Sequence, residues 1–197
     1  YWQQNQSNQA NNAAKDGIGT LNDTLEQKVG TDRRFKDIFQ DFAVANYAKD
    51  FLANPVPAAF AKYNYRDEEN CLTCAYDPVK RTISSPLNPD QSLFGTVSVD
   101  AWGARYFEVT PNAAVSLINV EVDALAGTPH PFYYHILAID NNQIVDQWSG
   151  EGQNIEQSID NSSPAYDRLV LIVAAFDNPV NFHYGFNLTD GLYILSP

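Results

Sequence analysis

Methionine is missing from all 197 residues, position 1 included, and lysine is missing from residues 87–197. The first absence suggests a processed chain or a piece of a longer one, because Tyr1 is not a translated start. The second leaves Arg105 and Arg168 as the only cations of residues 87–197 against 13 Asp/Glu, a balance of −11 within the chain's −12. A surface so poor in cations repels phosphate backbones, which argues against nucleic acid as a partner. The same acidity admits calcium as a cofactor, with no residue set to assign it to. No run approaches the roughly 18 apolar residues of a membrane span, and no basic-then-apolar leader is visible at the start.

Catalytic patterns are lacking too. The sequence contains no H-E-x-x-H, no G-x-S-x-G, no phosphate-binding glycine loop and no dinucleotide fingerprint. Its three histidines, His130, His135 and His183, show no paired-ligand spacing, although His135 and His183 could meet across strands. Ser149 in WSGEG reads as a turn residue after Trp148, with no base beside it. The carboxylates are numerous but unpatterned, so no glycosidase pair stands out. The expectation is a chain without catalytic activity of its own.

Cysteine occurs only as Cys71 and Cys74, in CLTC. Half of a zinc site, a redox pair, free thiols and a local disulfide all compete for this motif. Zinc would need two further ligands, and a redox pair is expected at a helix start rather than in a proline-flanked loop. A disulfide closing a tiny loop suits an extracellular chain best. Four Asn-x-Ser/Thr sequons, at Asn5, Asn22, Asn161 and Asn187, read as chance matches in an Asn-rich sequence.

What is present falls into regions of different physics. At 44% hydrophobic and 13% aromatic, the chain has enough apolar material for a substantial core. Residues 1–52 read as helical. They open on an Asn/Gln-rich arm that begins with Tyr1 and Trp2, two large side chains able to dock on a partner. Ile18, Leu21, Leu25 and Val29 predict a short helix ending at Gly30. FKDIFQDFAVANYAKDF, residues 35 to 51, predicts a longer one, with Asp32 as its N-cap and a stripe of Phe35, Ile38, Phe39, Phe42 and Ala45. Asn46 falls on that stripe and reads either as a buried amide tying the helix to backbone groups or as an Asn at the solvent edge.

Residues 53–91 have the composition of a proline-rich connector carrying the CxxC pair. From there to residue 197 the period changes to two. LFGTVSV, ARYFEV, AVSLINVEV, FYYHILAID, QIVDQW, DRLVLIVAAF, NFHYGFNL and LYILS read as strands. RLVLIVAAF is apolar on both faces and predicts a central strand. NFHYGFNL alternates, and Asn141-Asn142 predicts a tight hairpin. In AVSLINVEV the apolar phase slips between Leu117 and Ile118, which predicts a bulge. The fold class expected is α+β, a short helical segment before an antiparallel β-sandwich of jelly-roll or immunoglobulin type.

GIGTLNDTLEQKVGTDRRFKDIFQDFAVANYAKDF, followed by YNY at 63–65, resembles a segment of secreted zinc metallopeptidases of the immune inhibitor A group. In that family the pair of helices closes the peptidase domain, downstream of its zinc helix. The motif stands here as Phe39, Asp41, Phe42, Ala43, Val44, Ala45, Asn46 and Tyr47, with Phe42 where tryptophan is usual. GTVSVDAWGARYFEV looks like the approach to the β-sandwich that follows such domains. The resemblance implies structural roles for Phe39, Phe42, Asn46 and Tyr47. It also implies that the zinc ligands would lie before Tyr1, so no catalytic residue carries over. The functional expectation is a secreted, non-catalytic accessory module that engages a protein or glycan surface through aromatics such as Tyr133 and Trp148. The alternative is a structural subunit of an extracellular polymer, associating with copies of itself.

Overall fold

In a computed structural model, the residues described are 21–23, 25–26, 34–51, 81–84, 86–126, 130–162 and 165–190. Cys71, Cys74, Tyr1, Trp2, Asp32 and the LYILS run lie outside them. The chain divides into two compact units, Tyr1–Phe42 and Ala43–Pro197.

The first unit ends within helix α1 (Phe35–Phe51). The helix starts at Phe35, so Arg34 occupies its cap position. Asp37 supplies the cap by accepting from the Arg34 backbone N–H at 2.7 Å, one half of a capping box. Asn22 Oδ1 accepts from the Phe35 N–H at 2.6 Å and satisfies a second orphan donor of the first turn. Phe39 and Phe42 stack, with ring centroids 6.4 Å apart.

The second unit is a β-sandwich. One sheet has the order β1 (Arg81–Ile83), β3 (Ala104–Val109), β8 (Arg168–Ala174), β5 (Phe132–Asp140), β6 (Gln143–Gly152). The other has the order β2 (Ser92–Val99), β9 (Val180–Thr189), β4 (Leu117–Ala124), β7 (Asn154–Asp160). All pairings are antiparallel except β1 with β3. The core between the sheets joins Phe107, Val109, Phe132, Ile136, Leu169 and Leu171 to Ile118, Val120, Val122, Phe182, Phe186 and Leu188. Phe182 is met by Phe107 edge-on at 6.1 Å and by Phe132 at 5.9 Å, contacts that exploit the ring quadrupole.

β8 is central, as its two-faced apolarity predicts. Leu169, Leu171 and Val173 face the sandwich interior, while Val170 and Ile172 face outward. That outer side is covered by the second half of α1, where Ala43, Val44, Tyr47 and Ala48 pack on Tyr106, Leu137, Ile139, Val170 and Ile172. Of the stripe read off the sequence, Ala45 belongs to this covering face, while Phe35, Ile38, Phe39 and Phe42 are half-buried in the first unit; Asn46 is half-buried. Small residues let the helix approach the sheet closely, and the one large residue, Tyr47, stacks on Tyr106 with ring centroids 6.3 Å apart. The Asn141-Asn142 hairpin takes the expected form, with φ of 50° and 59°, the left-handed pair a two-residue turn needs.

Several expectations need correction. No bulge interrupts β4, which pairs in continuous register from Leu117 to its end. Ile118, Val120 and Val122 carry the core phase, and Leu117 opens the strand half-buried on the opposite face. The bulge lies instead in the β5–β6 pair, where Ala138 faces Asp146 and Ile139 faces Ile144, leaving Val145 over. WSGEG is not a turn: β6 runs through it, and Ser149 pairs with His135. Arg81–Ile83, within the stretch that reads as connector, adds a parallel strand to β3.

A buried charge joins these parts of the second unit. Glu108 is 5% exposed on the outer side of β3. Its Oε2 accepts from the Tyr47 hydroxyl at 2.7 Å and from the Arg81 guanidinium, and Arg168 stands 3.8 Å from Oε1. Tyr106 completes the seat by donating to the Ala43 carbonyl at 3.0 Å. Burial first, and then the hydrogen bond to Glu108, push the Tyr47 phenol well above its ordinary value. Glu108→Ala should destabilise the domain by about 3–5 kcal/mol, because it leaves two arginines facing an empty site. Tyr47→Phe should cost about 1–3 kcal/mol for the unsatisfied carboxylate partner. Denaturant unfolding checks both. The raised phenol contributes stability that is complete below the unfolded value near 10 and is lost as pH rises through the folded value. Tyr47→Phe should therefore flatten the alkaline decline in melting temperature.

Candidate functional site

The outer side of the four-stranded sheet follows a different plan. β2, β9, β4 and β7 send their apolar residues inward, so every second residue points out. Cross-strand register arranges these outward residues in rows. Phe94, Gly185, Glu121 and Glu156 form one row; Thr96, His183, Asp123 and Asn154 form the next; Ser92, Asn187, Asn119 and Ser158 form a third. Adjacent members lie about 4.8 Å apart, the strand spacing, close enough for neighbouring side chains to orient one another.

They do so through short polar contacts. Thr96 Oγ1 and His183 Nδ1 are 2.6 Å apart. Ser92 donates to Asn187 Oδ1 at 2.7 Å, while Asn187 Nδ2 donates to Glu121 Oε1 at 3.3 Å. Both ends of the Asn187 amide are thereby held. Ser158 donates to Asn119 Oδ1 at 2.7 Å. Among the described residues this face bears an open cleft of about 430 Å³ lined by Phe94, Thr96, Glu121, Asp123, His183, Gly185 and Asn187, together with Gly95 and Tyr184. That size is within the roughly 300–1,000 Å³ of small-ligand sites.

Aromatic–glycine pairs occur at three places across strands, two of them facing the core between the sheets and one on this outer face. Tyr184 faces Gly95, and a Cβ on Gly95 would stand 2.8 Å from the Tyr184 hydroxyl and 2.9 Å from its ring. Tyr134 lies over Gly150 in the same way, with its ring 2.8 Å from such a Cβ. Phe94 faces Gly185, yet a Cβ there would meet only Glu121, at 3.8 Å. The Phe94 ring stands off its glycine and is 76% exposed. Two pairs are closed and one is open.

The expected site residues fall elsewhere. Tyr133 is not an exposed contact: it is 8% exposed, and its hydroxyl lies 2.8 Å from His135 Nδ1. Trp148 is half-buried and packs against the inter-sheet core, because its position in β6 points inward opposite Ile136. His135 and His183 do not meet, since they belong to different sheets. Gln147 Oε1 stands 3.1 Å from His135 Nε2, so both imidazole nitrogens are engaged and neither is free to activate Ser149 across the strand pair. Among the described residues no group of three or more His, Cys, Asp or Glu is placed to hold a metal ion. Asn161 is 1% exposed, with Nδ2 donating to the Val115 carbonyl and Oδ1 accepting from the Tyr166 N–H, so its side chain is committed to the fold. Sequence reasoning passed over Phe94, although a signal was there: it shares its phase with Thr96 and Ser98 rather than with Val97 and Val99.

No protein-family model matches the chain, and no curated protein matches it. Among solved structures it is similar to the pre-peptidase C-terminal domain of collagenase from Bacillus anthracis, at 13% identity and a TM-score of 0.38, over 58% of this chain and 99% of that one. It is similar to tripeptidyl peptidase 2 at 7% identity and a TM-score of 0.43, over 56% of this chain and 11% of that one. A third likeness is to PliG, a periplasmic inhibitor of g-type lysozyme from Aeromonas hydrophila. It has 8% identity and a TM-score of 0.35, over 56% of this chain and 100% of that one.

The glycine contrast yields a test. Gly95→Ala and Gly150→Ala should each destabilise by about 1–3 kcal/mol, the usual cost of overpacking. Gly185→Ala should be neutral or stabilising by up to about 1 kcal/mol, as for a glycine whose site accepts a methyl group. Urea melts of the three variants check the order.

Proposed function

We propose that this chain is a non-catalytic binding module acting outside the cell, an accessory part of a secreted metallopeptidase of the immune inhibitor A kind. The observation that carries this reading is the polar, acidic outer face of the four-stranded sheet with the uncovered Phe94 at its edge. Such a face has side chains fixed by their neighbours and one free aromatic, which suits holding a ligand rather than transforming it. The family resemblance of residues 17–65 adds the setting, and the cation-poor surface rules against nucleic acid. No helix among the described residues is long and apolar enough to cross a membrane.

The polymer-subunit alternative differs in one measurable respect. A module stays monomeric at micromolar concentration, whereas a polymer subunit forms large ordered assemblies. Size-exclusion chromatography with light scattering separates them, and a monomer is expected. The purified chain should be retained on insoluble cell-wall polysaccharide or on gelatin, and should clear no casein in a zinc-supplemented gel. Zinc-dependent clearing abolished by a chelator would overturn the non-catalytic reading. Failure to be retained on every surface would overturn the binding reading.

A further inference from the structure

We propose that the cleft beside Phe94 is a subsite for an uncharged glycan, with the Phe94 ring as the platform for the apolar face of a pyranose. This rests on the binding-module reading above and assigns it a ligand class and a place.

The argument starts from the open aromatic–glycine pair. An exposed phenylalanine on its own is ordinary surface. Phe94 differs because its ring, 76% exposed, stands off the glycine opposite it and walls the cleft of the outer face. A flat apolar ring at the edge of a polar cleft accepts a ligand with one apolar face. The rest of the lining asks for hydroxyls. Asn187 is held at both ends of its amide by Ser92 and Glu121, so its orientation costs little at binding. Glu121 and Asp123 offer acceptor oxygens, and Thr96 and His183 offer a mixed donor and acceptor pair.

Charge narrows the class. The lining holds two carboxylates, one histidine and no Lys or Arg, so uronic, sulfated and phosphorylated sugars are repelled. A cationic peptide would also find the acids and the ring, by ion pairing and cation–π attraction. It would leave the fixed amide and the Thr96–His183 pair unused, whereas a neutral polyol uses both. The uncharged glycan is the better match.

The test uses the full chain and three probes, cellohexaose, chitohexaose and mannohexaose, by isothermal titration calorimetry, with polylysine as the cationic comparison. At least one hexasaccharide should bind saturably and with little dependence on salt. Phe94→Ala should lower its affinity more than about tenfold, as expected for a central aromatic contact. Gly185→Leu, which fills the floor, should abolish binding, while Phe94→Trp should retain it. Circular dichroism and melting temperature confirm that each variant is folded. Glycan affinity unchanged in folded Phe94→Ala and Gly185→Leu overturns the site. Salt-sensitive binding of polylysine with no glycan binding overturns the ligand class. Retention on gelatin without binding of any hexasaccharide also defeats the glycan and leaves the module reading standing. Retention on nothing defeats both.

Discussion

Glu108 points out of the five-stranded sheet into a space that α1 closes, and its charge is held there by a phenol and two guanidinium groups. A carboxylate taken out of water costs several kcal/mol unless its lone pairs are met. Tyr47 comes from the helix, Arg81 from the short parallel strand and Arg168 from the central strand. One buried group thus links three pieces that are distant in sequence. Apolar burial is non-directional, whereas the hydrogen bonds to the carboxylate have fixed directions. Mixed polarity of this kind gives up some stability relative to a fully apolar contact and gains a fixed geometry.

That anchoring gives the two sheets different fates. The five-stranded sheet packs on the opposite sheet by one side, and the second half of the helix covers the apolar part of its other side around Tyr106, Leu137, Ile139, Val170 and Ile172. Among the described residues the four-stranded sheet is covered on one side only. The rows that line the cleft are Asn, Ser, Thr, His, Asp and Glu, held in part by short cross-strand hydrogen bonds, and the aromatic among them, Phe94, is 76% exposed. Of the two cations in residues 87–197, Arg168 stands beside Glu108 and Arg105 donates to the Ser98 carbonyl at 3.0 Å. Neither lines the cleft. The acidic balance of residues 87–197 therefore reaches the outer face of the four-stranded sheet with no arginine in the cleft lining to offset it.

Much of this was legible in the residues. Two-faced apolarity placed β8 at the centre, clean alternation set the phase of β9, and a pair of asparagines marked the hairpin. What escaped reading has physical causes. β7, NIEQSID, shows only Ile155 and Ile159 to the core, too few apolar residues to register as a strand until its partner is known. β1 is three residues long, and its role depends on Arg81 reaching a carboxylate far along the chain. In the second half of α1 the packing face is built largely of alanines, which carry little weight in an apolar count. Side-chain type alone points to Tyr133 and Trp148 as contacts, whereas phase against the neighbouring residues turns Trp148 inward and the His135 contact claims Tyr133. The same rule of phase selects Phe94, whose isolation from its glycine is visible only in three dimensions.

The central claim is that the uncovered face of the four-stranded sheet is the surface this chain presents to a ligand. Amide chemical-shift mapping during titration with a bound hexasaccharide tests it most directly. The account predicts that shifts concentrate on residues 92–98 of β2, 181–187 of β9 and 119–123 of β4, with β5, β8 and the α1 contact unmoved. Shifts centred on the Glu108 seat, on β6 or on the five-stranded sheet would contradict it.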